Sequence, residues 1–179
     1  MKLSPLVIAL LAGVAFSQAQ AADGTITFNG EVTDTTCVID GNGTGATDFT
    51  VTLPTVATTA LAAAGQTAGA TPFNITVGSA AQPCAHSNVK VHFEPTPNVN
   101  LATGGLRNIA ATTPAGNVEV NILNDSGQKI DLSNNAGSQT VPVNGGIAVM
   151  NYFGEYEAVG GASSAGLVET NIRYSVTYQ

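Results

Sequence analysis

GLVETNIRYSVTYQ, residues 166–179, is the stretch whose reading decides the fold. From Val168 onward it alternates. Val168, Thr170, Ile172, Tyr174, Val176 and Tyr178 point one way, and Glu169, Asn171, Arg173, Ser175, Thr177 and Gln179 point the other. A period of two, with β-branched and aromatic residues on one side, predicts a half-buried strand running to the carboxylate of Gln179. A strand in that position needs a neighbour along each edge, because otherwise a row of N–H and C=O groups stays unpaired. The identity of that neighbour is the functional question.

At the other end, Lys2 precedes an apolar run from Leu6 to Phe16 and the small residues Ala19-Gln20-Ala21. This is the layout of a secretory signal peptide cleaved after Ala21. The apolar run is eleven residues long, against the roughly 20 that a bilayer-crossing helix requires. Its removal leaves 158 of 179 residues, enough for one domain with a substantial core. Without Lys2, four basic residues stand against twelve acidic ones, a net charge of −8. No basic patch or Arg cluster is present, so nucleic acid is not an expected partner. No transmembrane segment is expected in the mature chain. Abundant Thr, Val, Ala, Gly and Asn, with no Trp, favours strands and turns over helices.

Cys37 and Cys84 are the two cysteines, and an even pair in an exported chain predicts one disulfide. Before it, Ile26, Phe28, Gly30 and Val32 share one side of a strand within residues 22–35. A Gly in such a row marks a bulge or the close approach of another backbone. Beyond Cys37, alternation predicts strands at Thr47–Leu53, Pro72–Gly78, Val89–Glu94 and Ile147–Ala158. The Ala-rich stretch Thr58–Gly69 reads as a helical turn or a loose connection, and Pro95–Pro114 as a loop holding at most one brief strand. Asn117–Leu123 and Gln128–Leu132 flank the turn formers Asn124-Asp125-Ser126-Gly127, which predicts a hairpin. Short strands separated by polar turns indicate an all-β, immunoglobulin-like sandwich.

Four features together resemble a known family: Thr25–Val32 (TITFNGEV) with Cys37 seven residues after Gly30; the cysteine pair enclosing PFNITV (Pro72–Val77); VEVNILNDSGQKIDL (Val118–Leu132); and a terminus with Gly166 fourteenth from the end and Tyr178 penultimate. Over essentially the whole mature chain, this resembles the pilin subunits of chaperone–usher fimbriae, most closely the major, type 1-like shaft subunit. The resemblance implies an incomplete immunoglobulin-like sandwich, residues 36–179, completed by a donor strand from another subunit. A periplasmic chaperone would fill the groove first. An outer-membrane usher would then exchange it for the N-terminal extension, residues 22–35, of an identical or related pilin. The result would be a helical homopolymer reaching the cell surface through the periplasm. Carried over by position, the donor residues are Gly24, Ile26, Phe28, Gly30 and Val32. The acceptor strand comprises Gly166, Val168, Thr170, Ile172, Tyr174, Val176 and Tyr178, with Gln179 as the chaperone's anchor. Gly154 departs from the family, whose long strand more often carries Ala there.

Enzymatic readings have little support. His86 and His92 are the two histidines, and a reactive thiol at Cys84 would conflict with the disulfide. Two histidines and scattered carboxylates lack metal-ligand spacing, so no cofactor or metal is expected. The alternative function is a minor adaptor or receptor-binding fimbrial subunit. A two-domain tip adhesin would carry a lectin domain ahead of the pilin domain, whereas here the donor-like strand begins three residues after the predicted cleavage site.

Overall fold

The computed structural model describes residues 37–179, and within them the chain forms two antiparallel sheets packed face to face. The donor residues Gly24 to Val32 and the signal segment 1–21 lie outside the described residues. One sheet has five strands: β1 (Ile39–Gly41), β2 (Thr67–Val77), β4 (Leu106–Arg107), β5 (Val118–Leu123) and β7 (Ala148–Ala158), in the order β1-β2-β7-β5-β4. The other has three: β3 (Asn88–Glu94), β6 (Thr140–Pro142) and β8 (Arg173–Tyr178), in the order β6-β3-β8.

The alternating rows supply the core. Phe73, Ile75 and Val77 of β2 face Val89, Val91 and Phe93 of β3, and Ala148, Met150 and Tyr152 of β7 complete the layer. Three aromatics lock its centre: Tyr152 stacks on Phe73 at 5.5 Å between centroids and meets Phe93 edge-on at 5.5 Å. Such offset and edge-on pairs are the favoured geometries for aromatic quadrupoles. β5 does not alternate, being buried throughout. Val120 and Ile122 face the core. The opposite side, carrying Glu119, is roofed by the 98–105 loop, where Asn100 Nδ2 and Thr103 Oγ1 each donate at 2.6 Å to its carboxylate. Those charge-assisted bonds offset the desolvation of a carboxylate that is 6% exposed.

The disulfide joins Cys37 to Cys84, tying the approach to β1 to the β2–β3 connection. Several element boundaries differ from the sequence reading. Thr47–Leu53 carries no regular secondary structure and joins no ladder among the described residues. β2 begins at Thr67 rather than Pro72, and a register shift between Ala68 and Thr71 lets it continue past Gly69, whose φ is 75°. The hairpin turn forms as expected, with Asn124 N–H donating to the Gln128 carbonyl at 2.9 Å. Its return arm makes only a bridge, Leu123 to Lys129, because β4 takes over the edge of β5. Thr58–Leu61 is a 3-10 turn whose Leu61 packs with Ala115, Val118 and Ala158 in a small second core. β6 has no counterpart in the sequence reading: at three residues it is too short to show a period.

Candidate docking groove

β8 pairs with β3 along one edge, from Val89↔Tyr178 to Glu94↔Arg173. Its other edge meets no strand among the described residues. Beside that edge runs a groove of about 900 Å³. Its far wall is Thr47–Leu53, and its floor includes Phe73, Ile75, Leu106, Val120, Ile122 and Gly154. Among the described residues, positions 47–53 make no backbone–backbone hydrogen bond. Two segments without a strand partner on their groove side, among the described residues, thus flank an apolar floor. An extended segment laid between them would pair with both and sink alternate side chains into the floor.

The acceptor residues named from sequence divide into three groups. Val168, Thr170, Ile172 and Tyr174 line the groove. Val176 and Tyr178 keep the same facing but pack on the main core beyond its end. Gly166 lies against the backbone of residues 113–115, where a Cβ would come within 2.6 Å of the Thr113 carbonyl oxygen. There Leu167 N–H donates to Thr113 at 2.8 Å, and Ala115 N–H donates to Leu167 at 2.9 Å. The alternation of half-buried and exposed positions holds from Val168 to Gln179, but the ladder itself starts at Arg173. Residues 168–172 are held by single contacts instead, such as Glu169 N–H to Asn108 Oδ1 at 3.0 Å and Asn98 Nδ2 to Asn171 Oδ1 at 3.0 Å.

The Gln179 carbonyl oxygen accepts from the backbone N–H groups of Ser87 and Asn88, both at 2.9 Å. The end of β8 is therefore fastened to the start of β3. His86 stacks over Tyr178 there, with centroids 4.7 Å apart.

Sequence reasoning missed the role of Phe49, Val51 and Leu53, whose alternation suggested a paired strand rather than a groove wall. Phe49 anchors that wall, lying 5.9 Å from Phe73 and 6.3 Å from Tyr174 between ring centroids. It packs over Gly41, where any Cβ would collide with its ring. Gly154 forms part of the floor, and a side chain there would project toward Leu53. Its place in the apolar row of β7 was the signal available in the sequence.

Both tyrosines that line the groove are harder to ionise than usual. Burial, together with the nearby Asp48 and Asp40 carboxylates, pushes the Tyr174 hydroxyl above the usual tyrosine range. Burial does the same for Tyr156. Among the described residues no cluster of three or more His, Cys, Asp or Glu is arranged to hold a metal, and no helix is long and apolar enough to cross a membrane.

Comparison with known proteins places these features in a family. The sequence model of the type-1 fimbrial protein A family matches residues 53–179. The chain is 42% identical over 167 residues to the major fimbrial subunit SMF-1 of Stenotrophomonas maltophilia (strain K279a), covering 89% of this chain and 95% of that protein. It is 37% identical over 179 residues to the F17 fimbrial protein of Escherichia coli, covering 97% of each. A chain from a chaperone–usher pilus structure superimposes with a TM-score of 0.61 at 18% identity, covering 92% of this chain and 99% of that one. The P pilus rod subunit PapA gives 0.59 at 18% identity, with 81% and 100% covered. These two likenesses establish the fold as an immunoglobulin-like sandwich lacking a strand. The chain belongs to the type-1 fimbrial protein A family, and it is a structural subunit that assembles with other pilins into a cell-surface pilus rather than an enzyme.

Proposed function

We propose that the groove receives residues 22–35 of another copy, so that copies polymerise by strand donation into the shaft of the fimbria. The observation that carries this reading is that, among the described residues, neither β8 with residues 168–172 on one side nor Thr47–Leu53 on the other has a strand partner on the edge facing the groove, and the two flank an apolar floor. The donor presents Gly24, Ile26, Phe28, Gly30 and Val32 to that floor. Burying Ile26, Phe28 and Val32 would contribute about 5–9 kcal/mol, at about 1.5–3 kcal/mol per side chain, and each ladder bond adds about 1 kcal/mol net. Gly30 meets the shallowest part of the floor. Because donor and acceptor are different surfaces, the contact is heterologous and propagates into a helical filament. The 42% identity to a major fimbrial subunit is what supports the shaft position.

On this reading residues 1–21 direct export and are removed. A periplasmic chaperone occupies the groove before assembly and engages the carboxylate of Gln179, and an outer-membrane usher catalyses the exchange. The test is electrophoresis of the exported protein, unheated and then boiled in acid. A ladder of multimers that collapses only on the harsh treatment supports strand donation, and a single unheated monomer band refutes it. Deleting residues 22–35 should leave a subunit that accepts a strand but donates none. Gly30→Leu should block polymerisation, and fibres of normal length from that variant would refute the donor assignment.

A further inference from the structure

β8 and the segment leading into it run between two poles of the sandwich. At the first pole Leu167 bridges to Pro114, and the Ile109 N–H donates to the Glu169 carbonyl at 2.8 Å, so residues 107–109 lie alongside 167–169. Leu167 is 58% exposed there and Ile109 41%. At the second pole β8 ends at Gln179, fastened to residues 87 and 88. Cys37 reaches that same pole, where its backbone N–H donates to the Tyr178 hydroxyl. Val38, the next residue, is 39% exposed. Both poles are built from uncharged sequence. Residues 108–118 and 158–168 at the first, and 79–89 at the second, contain no Asp, Glu, Lys or Arg, although the mature chain carries a net charge of −8. Copies of such a chain repel one another, and charge-free poles with exposed apolar side chains are where two of them can approach.

The tether between donor strand and body decides which pole meets which. Every ladder in the two sheets is antiparallel. A strand of another copy that joins β8 in the same sense enters at the Gln179 end and leaves at Val168, beside Leu167 and Ile109. Val32, its last inward-facing residue, is five positions before Cys37, a span of about 18 Å at most. That short link holds the Cys37 pole of the donor against the Leu167 pole of the acceptor. We propose that these two poles form a second, body-to-body contact between neighbouring copies in the fibre, with Val38 of the donor meeting Leu167 and Ile109 of the acceptor. This inference rests on strand donation as read above and adds a surface outside the groove, since none of these three residues lines it. The poles are different surfaces, so the contact is heterologous and repeats with every donated strand. It also sets the angle between successive bodies, which a link of a few residues alone would leave free to turn.

The test compares fibres of the wild type, Val38→Glu, Leu167→Glu, and Leu167→Lys combined with Val38→Glu. Fibres are held in guanidinium, and release of monomer is followed on unheated gels. In parallel, each chain is dissociated, returned to buffer with its disulfide intact, and mixed with a fluorescein-labelled peptide of residues 22–35, whose capture is read by fluorescence anisotropy. Both single variants should release monomer roughly tenfold faster than the wild type, the scale of one apolar side chain lost from a buried contact. The opposite-charge pair should release it more slowly than Val38→Glu alone, because Lys and Glu then face each other across every junction. Peptide capture should be the same in all four. Wild-type release rates in the single variants would overturn the contact, and so would a pair that releases no more slowly than Val38→Glu. Weaker peptide capture in the single variants would place their damage in the fold or the groove and overturn it as well. If the wild type itself captures no peptide, strand donation falls and takes the pole contact with it.

Discussion

The side chain of Asn135 pairs with both main-chain groups of Phe93. Its Oδ1 accepts from the Phe93 N–H at 2.7 Å, and its Nδ2 donates to the Phe93 carbonyl at 2.8 Å, with both residues buried. One amide thus replaces a missing strand partner on the β6 side of β3, beyond the last ladder residue, Lys90. Asn135 sits at a φ of 62°, a left-handed conformation that Asn tolerates better than most residues. Asn135→Ala should leave a buried donor and a buried acceptor unpaired, each at about 1–3 kcal/mol. A total loss of about 2–4 kcal/mol, read as a lower midpoint in urea unfolding, is the expected result. Asn135→Asp keeps the acceptor and loses the donor, and should be no better than Ala.

The disulfide should matter as much as any core side chain. Cys37 and Cys84 are 47 positions apart, and closing a loop of that length stabilises by about 4 kcal/mol on the chain-entropy model. The Cys37→Ser/Cys84→Ser double variant should therefore unfold at markedly lower denaturant than the oxidised wild type, and the reduced wild type should match the variant. Equal midpoints for oxidised and reduced protein would contradict this.

What the sequence made legible were rows with a period. Val89-Val91-Phe93, the β7 row from Ala148 to Ala158 and the row from Val168 to Tyr178 all keep in the structure the facing that their alternation predicts. Pairing was not legible, because alternation reports which side is apolar and says nothing of what lies along an edge. Thr47–Leu53 therefore looked like an ordinary strand, and residues 168–172 looked continuous with β8. β5 hid its environment differently: its second side is covered by loops rich in Asn, Thr and Gly, so Glu119 and Asn121 are buried despite their polarity. The Asn135–Phe93 pairing joins residues 42 positions apart, and no local pattern announces it.

Acid should act through the β7 carboxylates in opposite directions. Burial raises the pKa of Glu157, but hydrogen bonds from Lys129 and Asn121 and the Lys129 charge outweigh it, leaving the pKa below its ordinary value. Lys129 Nζ lies 2.7 Å from Glu157 Oε2, with the side chains 30% and 22% exposed. A folded pKa below the unfolded one gives stability that is present above the ordinary carboxylate value and lost as pH falls through the folded one. Glu157→Gln should thus cost about 1 kcal/mol or less at pH 7, and that cost should fade as pH falls through the lowered folded pKa. Burial, with Glu157 nearby, raises the pKa of Glu155 despite a hydrogen bond from Thr67. Its carboxylate therefore opposes folding at neutral pH, and that penalty fades as pH falls through the raised value. Glu155→Gln should stabilise at pH 7 and converge with the wild type in acid. Parallel pH profiles for the two variants would refute the assignment.

Gly166 should tolerate no side chain. An added Cβ meets the backbone of Thr113, Pro114 and Ala115 rather than any flexible side chain, so relief requires moving the chain. Gly166→Ala should break the Leu167 pairing with residues 113 and 115 and destabilise by about 1–3 kcal/mol, the range for overpacking. Faster hydrogen exchange at the Ala115 and Leu167 amides, which donate in that pairing, would locate the damage at the head of the final segment. Unchanged exchange there would argue against it.

Gly154 separates folding from docking. A Cβ added there would approach Leu53 Cδ2 at 3.3 Å, close enough to require a small shift of a flexible side chain and no shift of backbone. Gly154→Ala should therefore fold with stability within about 1 kcal/mol of the wild type, because the restricted unfolded chain offsets the mild crowding. A longer side chain cannot be absorbed in that way. Gly154→Leu would extend into the groove between Ile122 and Leu53, occupying floor that an incoming strand needs. Capture of a peptide of residues 22–35 should persist in the Ala variant and fall at least tenfold in the Leu variant, with circular dichroism reporting a folded sandwich in both. If the Leu variant folds and binds like the wild type, Gly154 is not part of the contact surface, and the docked strand must lie elsewhere along β8.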